Sequence, residues 1–108
     1  MRVQITARHC DVPSEVLERT QEQVESLSKY ESRATAADVV YEEVKVTRRV
    51  EVIIHIDGAE PVIAHGEGSE FRAALDEVCG RLARMLRKQR ERRRDHHAPP
   101  LAERITED

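Results

Sequence analysis

The stretch that decides the fold is VEVIIHIDGAEPVIAHGEG, residues 50–68. Every second residue from Val50 to Ile56 is valine or isoleucine, and Glu51 and His55 stand between them. This alternation predicts a β-strand with one buried face. Asp57-Gly58 follows at once and is a strong turn signal, so the chain is expected to reverse direction there.

The residues after this turn predict a second strand and then a helix. Val62-Ile63-Ala64 is a short β-rich run, and Pro61 before it indicates the start of a strand or a sheet edge. Gly66-Glu67-Gly68 interrupts the pattern, and a turn is the expected structure there. Apolar residues then recur at helical spacing, namely Phe71, Leu75, Val78, Leu82, Met85 and Leu86.

The residues before position 50 add two strands and one helix. Val3, Ile5 and Ala7 alternate with polar residues, which indicates a half-buried strand. The range 16–30 has apolar residues on one helical face, and the range 39–46 is rich in valine. The order β-α-β-β-β-α predicts an α+β two-layer sandwich, in which two helices cover one face of a four-stranded sheet. We expect one domain over residues 1–95 and a flexible acidic tail over residues 96–108.

Charge is strongly segregated along the chain, although the net charge is only −3. Residues 1–80 carry nine basic and sixteen acidic residues, a net charge of −7. Residues 81–94 carry eight basic residues and one acidic residue, a net charge of +7. Residues 95–108 carry one basic and four acidic residues, a net charge of −3. The local field of a segment, and not the net charge of a chain, attracts a polyanion.

Several classes of protein are disfavoured by the sequence. No apolar run approaches the roughly 20 residues that span a bilayer, and the first residues lack the apolar core of a signal peptide. Cys10 and Cys79 are far apart and outside any CxxC pair, which indicates reduced thiols. The histidines lack the spacing of a zinc site, and no catalytic motif is present. We therefore expect a cytoplasmic protein without membrane contact, metal, cofactor, small-molecule substrate or enzymatic activity.

The basic stretch of the second helix is the strongest functional signal. The apolar stripe ends after Leu86. From about Arg87 the helix is therefore expected to extend beyond the domain, with cationic side chains on all of its faces. Arginine outnumbers lysine seven to one in residues 81–94, which fits bidentate contact with phosphate. Two plainer interpretations stay open, a solvated charged face and intramolecular pairing with the acidic first helix of the chain, which ends at about Tyr30 and is called helix 1 here. Only three aromatic residues are present, so phosphate and shape recognition of folded RNA is favoured over base stacking.

The second helix also resembles a known family. The residues that carry the likeness are Gly66-Glu67-Gly68, Ala73-Ala74-Leu75-Asp76 and Arg81-Leu82-Ala83-Arg84-x-Leu86-x-Lys88, with Leu27-Ser28-Lys29-Tyr30 upstream. They resemble the ribosome hibernation promoting factor family, which includes ribosome-associated inhibitor A. At 108 residues the chain resembles the short form, which lacks the second domain of the long members.

The resemblance implies a fold similar to a double-stranded-RNA-binding domain and a binding site on the small ribosomal subunit. There the family covers the messenger and transfer RNA sites and silences idle ribosomes. By position it implies that Arg81, Arg84, Lys88 and Arg90 bind small-subunit ribosomal RNA. Charge alone adds Arg87, Arg92, Arg93 and Arg94 to that set.

Helix 1 departs from the family, whose members usually place basic residues there. Its charged residues here are mostly Glu15, Glu18, Glu22 and Glu25. Two other functions stay open, a general double-stranded-RNA-binding protein and a protein-interaction module with a basic docking helix. We expect the free protein to be a monomer.

Overall fold

The elements follow the predicted order. The computed structural model describes the backbone of residues 1–97 and the side chains of residues 1–92. The elements are β1 (Arg2–Arg8), α1 (Ser14–Ser26) continued by a 3₁₀ turn (Leu27–Lys29), β2 (Ala34–Val44), β3 (Thr47–Ile56), β4 (Val62–Gly68) and α2 (Phe71–His97). Of the predicted tail, 96–108, only the backbone of His96 and His97 is described, and it continues α2. The rest of that tail lies outside the described residues.

The four strands form one sheet in the order β1-β2-β3-β4. β1 lies parallel to β2, and the other two pairs are antiparallel. The turn between β2 and β3 is short, and Lys45 adopts a left-handed φ of 58° in it. Val46, which the valine-rich pattern placed in a strand, lies in this turn and is 87% exposed. That part of the prediction was wrong, because a tight reversal removes its central residues from the sheet.

Both helices lie on the same face of the sheet, which confirms the two-layer arrangement. The fully buried side chains include Val39, Tyr41, Val50, Val52 and Ile54 from the sheet, with Val24, Leu75, Val78 and Leu82 from the helices. Leu86 is the last residue of α2 in this core, at 1% exposure. Met85, predicted to belong to the apolar stripe, is 39% exposed, so it does not form part of the core.

A buried hydroxyl pair joins α1 to the sheet. The Thr20 hydroxyl donates to the Val16 carbonyl at 2.6 Å. It also lies 2.5 Å from the Tyr41 hydroxyl, so the tyrosine must donate to it. The Tyr41 ring packs edge-on against Phe71, with 5.3 Å between ring centres. Tyr41 of β2 thus contacts both helices, and burial raises its pKa to about 12.

Gly66 and Gly68 belong to β4, and so the predicted turn at these residues was wrong. A Cβ atom on Gly66 would overlap the Ala74 carbonyl oxygen and would lie 2.8 Å from the Val78 nitrogen. Glycine is therefore required at position 66 because the backbone of α2 approaches the strand closely, and not because the chain turns.

The opposite face of the sheet is uncovered by any described helix, as predicted. Ile63 is 51% exposed there, and its neighbour Ile53 on β3 is half-buried. His55 is paired with Asp38 at 2.9 Å across the same face. This contact confirms that His55 is a residue of the open face.

Candidate nucleic-acid interface

The 27 residues of α2 make a rod about 40 Å long at 1.5 Å per residue. Its apolar stripe is held against the sheet by Leu75, Val78, Leu82 and Leu86, all buried. This anchoring directs the intervening residues toward solvent. The predicted cations with described side chains are all exposed, namely Arg81, Arg84, Arg87, Lys88, Arg90 and Arg92. The side chains of Arg93 and Arg94 lie outside the described residues.

Most of these cations lack an internal counter-charge. Within residues 1–92, no carboxylate forms an ion pair with Arg84, Lys88, Arg90 or Arg92. The glutamates of α1 do not supply partners, because none of them forms an ion pair with a described cation; they are Glu15, Glu18, Glu22 and Glu25. In the described ion pair that joins the two helices, α1 supplies the cation and α2 the carboxylate, with Arg19 at 3.4 Å from Asp76. Among the described side chains, the carboxylates of α1 therefore do not neutralise the cations of α2.

Arg81 differs from the other cations because it is engaged at the edge of the sheet. Its guanidinium lies 3.6 Å from Glu77 and donates to the His65 carbonyl at 3.3 Å. The Glu77 carboxylate in turn accepts from the Glu67 backbone N–H at 2.7 Å. The two side chains thus satisfy outward-facing backbone groups of the edge strand β4, which is one way that proteins protect sheet edges. Arg81 stays a predicted RNA ligand, and it also stabilises the edge of the sheet.

The helix separates from the domain later than the sequence predicts. Gln89 is half-buried. Gln89 and Arg92 line a shared surface depression with Arg33, Glu60 and Pro61. The turn between β3 and β4 therefore lies beside α2 as far as Arg92, beyond the predicted departure at about Arg87. The stretch of helix that presents cations is consequently supported along much of its length, and its backbone holds the points from which these side chains extend.

The end of α1 brings a further cation to this surface. The Lys29 amine lies 5.2 Å from the centre of the Tyr30 ring, and the Arg87 guanidinium lies 5.7 Å from the same centre. Cations at these distances are attracted by the ring quadrupole. Lys29 was not among the predicted site residues, although Leu27-Ser28-Lys29-Tyr30 formed part of the resemblance. Its sequence neighbours alone do not indicate that it meets α2.

The described residues offer little for other chemistry. Among them there is no group of three or more His, Cys, Asp or Glu side chains that could hold a metal ion. Cys10 and Cys79 are free thiols. Burial raises the pKa of the Cys79 thiol to about 11, so it is protonated and a poor nucleophile at neutral pH. Within residues 1–97, no helix combines the length and the apolar character needed to cross a bilayer.

The fold and this surface define a class: a small α+β protein whose exposed cations are concentrated on one long helix. The chain belongs to the Sigma 54 modulation protein / S30EA ribosomal protein family, whose sequence profile matches residues 3–94. The matched range includes all of the four strands except Arg2, and nearly all of α2.

Curated relatives agree with this assignment. The chain is 29% identical over 92 residues to a ribosome hibernation promoting factor of Azotobacter vinelandii, with 85% of each chain covered. It is 28% identical over 96 residues to the ribosome hibernation promoting factor of Escherichia coli strain K12, covering 89% of this chain and all of the relative. These relatives confirm the resemblance that the sequence of α2 indicates.

Solved structures agree on the fold. A ribosomal subunit interface protein from Coxiella burnetii superposes with a TM-score of 0.77 at 16% identity, covering 84% of this chain and 99% of that one. The N-terminal domain of Protein Y from Thermus thermophilus gives a TM-score of 0.72 at 19% identity, covering 82% and 98%. At these identities the likeness establishes the shared architecture alone.

Proposed function

We propose that this chain is a ribosome-associated hibernation factor that binds small-subunit ribosomal RNA through α2 and occludes the messenger and transfer RNA sites. The observation that carries the proposal is the row of exposed cations on α2 that have no carboxylate partner among the described residues. The ribosome as partner is supported by the family and by the names of its curated relatives. A ribosomal partner also implies action in the cytoplasm.

The mechanism needs no covalent step. Arginine and lysine side chains on α2 replace condensed counterions at RNA phosphates, and the release of those ions drives association. Charge-assisted contacts from guanidinium groups then fix the orientation of the domain. Once bound, the folded domain fills space that messenger and transfer RNA would otherwise occupy. Inhibition by occlusion is therefore complete when binding is complete. The mechanism requires no second copy of the chain, and we propose that the free protein is a monomer.

The aromatic residues support recognition of folded RNA through its phosphates. Tyr41 and Phe71 are buried and contact each other, so neither ring is available to a base. Tyr30 is half-buried, and two cations already lie over its ring. Single-strand readers of RNA depend on exposed aromatic platforms. The described surface offers no such platform, and its cations remain as the means of recognition.

Charge reversal tests the proposal directly. Arg84→Glu combined with Lys88→Glu is expected to abolish co-sedimentation with small ribosomal subunits, because two attractive contacts become repulsive. Arg2→Glu combined with Lys45→Glu is the matched control. It makes the same change in charge at two exposed residues away from α2, one on β1 and one in the β2–β3 turn. Normal co-sedimentation of the α2 variant would overturn the proposal.

Two further comparisons separate the alternatives. Equal affinity for a plain RNA duplex and for small subunits would identify a general double-stranded-RNA-binding protein instead. Binding that hardly responds to salt would identify a protein-interaction module, since contacts with phosphate weaken steeply as salt rises. Occlusion itself predicts that saturating protein prevents transfer RNA from binding to programmed small subunits. Simultaneous binding of both would contradict that part of the mechanism.

A further inference from the structure

A groove runs between the end of α1 and the middle of α2, with a volume of about 270 Å³. Leu27 is buried beneath it, and Cys79 and Ala83 are half-buried. Its lining residues are Gln23, Ser26, Leu27, Lys29 and Tyr30 on one side, with Asp76, Cys79, Gly80 and Ala83 on the other. The groove thus lies next to the surface that presents the cations of α2, and Lys29 forms part of its lining.

Gly80 keeps the α2 side of this groove open. Glycine is an unfavourable residue in the interior of a helix, and packing does not require it here. A Cβ atom on Gly80 would meet only the Arg84 Nη1 atom, at 3.7 Å, which is an ordinary contact with the far end of a flexible side chain. This differs from Gly66, where a Cβ atom would collide with the helix backbone. The same distance places the Arg84 guanidinium beside the open position.

Three cations lie at or beside the groove, since Lys29 is one of its lining residues and Arg84 and Arg87 each lie next to one. Arg84 lies beside Gly80, while Lys29 and Arg87 lie over the Tyr30 ring at 5.2 and 5.7 Å from its centre. The ring holds together two positive groups that would otherwise repel each other. Asp76, the carboxylate in the lining, is paired with Arg19 at 3.4 Å and so contributes little opposing charge.

We propose that this groove holds the sugar–phosphate backbone of the bound RNA, with a phosphate among Lys29, Arg84 and Arg87. Gly80 and Tyr30 act as positioning residues, the first by leaving room and the second by holding two of the cations. The inference rests on the proposed function, because it names the part of the RNA that this surface takes. A phosphodiester suits polar walls and a cationic rim, and charge-assisted bonds to its oxygens are among the strong hydrogen bonds of proteins.

The decisive experiment fills the groove. Gly80→Gln introduces an uncharged side chain and is expected to weaken binding to purified small subunits by about tenfold or more, the equivalent of losing one charged contact. Ala73→Gln is the matched control, since it adds the same side chain to an exposed position of α2 outside the groove. Thermal unfolding by circular dichroism should show that both variants fold. Glutamine favours helix more than the glycine it replaces at position 80, and at the exposed position 73 it costs only a small amount of helix propensity relative to alanine.

A second pair of variants tests the ring. Tyr30→Leu keeps an apolar side chain but removes the ring beneath Lys29 and Arg87, and it is expected to weaken binding about threefold, in line with an exposed cation–π contact. The dependence of binding on salt should not change, because every charge remains. Tyr30→Phe retains the ring and should restore the affinity. Equal affinities for the leucine and phenylalanine variants would contradict the positioning role.

The outcomes separate this inference from the proposed function. If Gly80→Gln binds as tightly as the unaltered protein while Arg84→Glu with Lys88→Glu does not bind, the groove is not the phosphate site and the proposed function stands. If the double charge reversal binds normally, the proposed function itself is overturned. Weak binding by Gly80→Gln together with normal binding by Ala73→Gln is the result that we expect.

Discussion

Replacing Gly66 with alanine should destabilise the protein severely, although it adds only one methyl group. That methyl would overlap the Ala74 carbonyl oxygen and lie 2.8 Å from the Val78 nitrogen and 3.2 Å from the Val78 Cβ atom. Two of these three contacts are with helix backbone, which cannot rotate away as a side chain can. To restore ordinary separations, α2 must move by about 1 Å relative to β4.

The size of the effect follows from what such a movement disturbs. Leu75, Val78 and Leu82 are buried beside this contact, and a gap of about 0.5–1 Å forfeits a quarter to a half of each contact's dispersion energy. Overpacking a core costs about 1–3 kcal/mol. A clash between two backbones belongs at the upper end, so we expect a loss of about 3 kcal/mol in the free energy of unfolding. This is a large share of the roughly 5–15 kcal/mol that stabilises a typical domain.

Urea unfolding, followed by circular dichroism, measures this loss. With a slope of about 1.5 kcal/mol per molar urea, the midpoint of Gly66→Ala should fall by about 2 M. Gly80→Ala is the comparison, since the same methyl group there makes only an ordinary contact with the flexible Arg84 side chain at 3.7 Å and should raise stability by about 0.5–1 kcal/mol. If the same change from glycine to alanine lowers the free energy of unfolding at position 66 and raises it at position 80, the packing described for α2 is supported. A Gly66→Ala protein within about 0.5 kcal/mol of the unaltered protein would refute it.

Three further results are expected. Tyr41→Phe should lower the free energy of unfolding by about 1 kcal/mol in urea titrations, because a buried hydrogen bond from its hydroxyl is lost. The free energy of unfolding should fall as pH rises above about 9. Burial raises the pKa of Cys79 to about 11 and that of Tyr41 to about 12, so the unfolded chain releases these protons at a lower pH than the folded chain does. Cys79→Ala should therefore show a smaller fall between pH 9 and 11. Glu77→Ala with Arg81→Ala should expose the β4 edge and raise self-association in analytical ultracentrifugation; an unchanged sedimentation profile would argue against edge protection.

The arrangement of strands and helices could be predicted because its signals are local and repetitive. The strict alternation from Val50 to Ile56 and the helical spacing from Phe71 to Leu86 each fix which face is buried, and both faces are buried as expected except at Met85. The cations of α2 could be predicted for a related reason. Arg84 lies two positions from both buried leucines, Leu82 and Leu86, and Lys88 follows one turn later on the same helical face, so the exposure of both follows from the position of the apolar stripe.

The errors arose where distant segments meet. Gly66 and Gly68 resemble turn residues in sequence, but the demand for glycine at position 66 comes from a helix packed across the strand. Lys29 joins the cationic surface only because the chain places Tyr30 beside Arg87, more than fifty positions later. The engagement of Arg81 by the β4 edge has the same origin. Contacts of this kind are set by the packing of the whole domain and leave no local pattern.

The most direct test of the central claim is the salt dependence of binding to small ribosomal subunits. We predict a steep fall in affinity with salt for the unaltered protein, and a slope smaller by about two units for Arg84→Gln with Lys88→Gln, one for each lost phosphate contact. A slope that is the same in both proteins would contradict the claim that these α2 side chains meet phosphate.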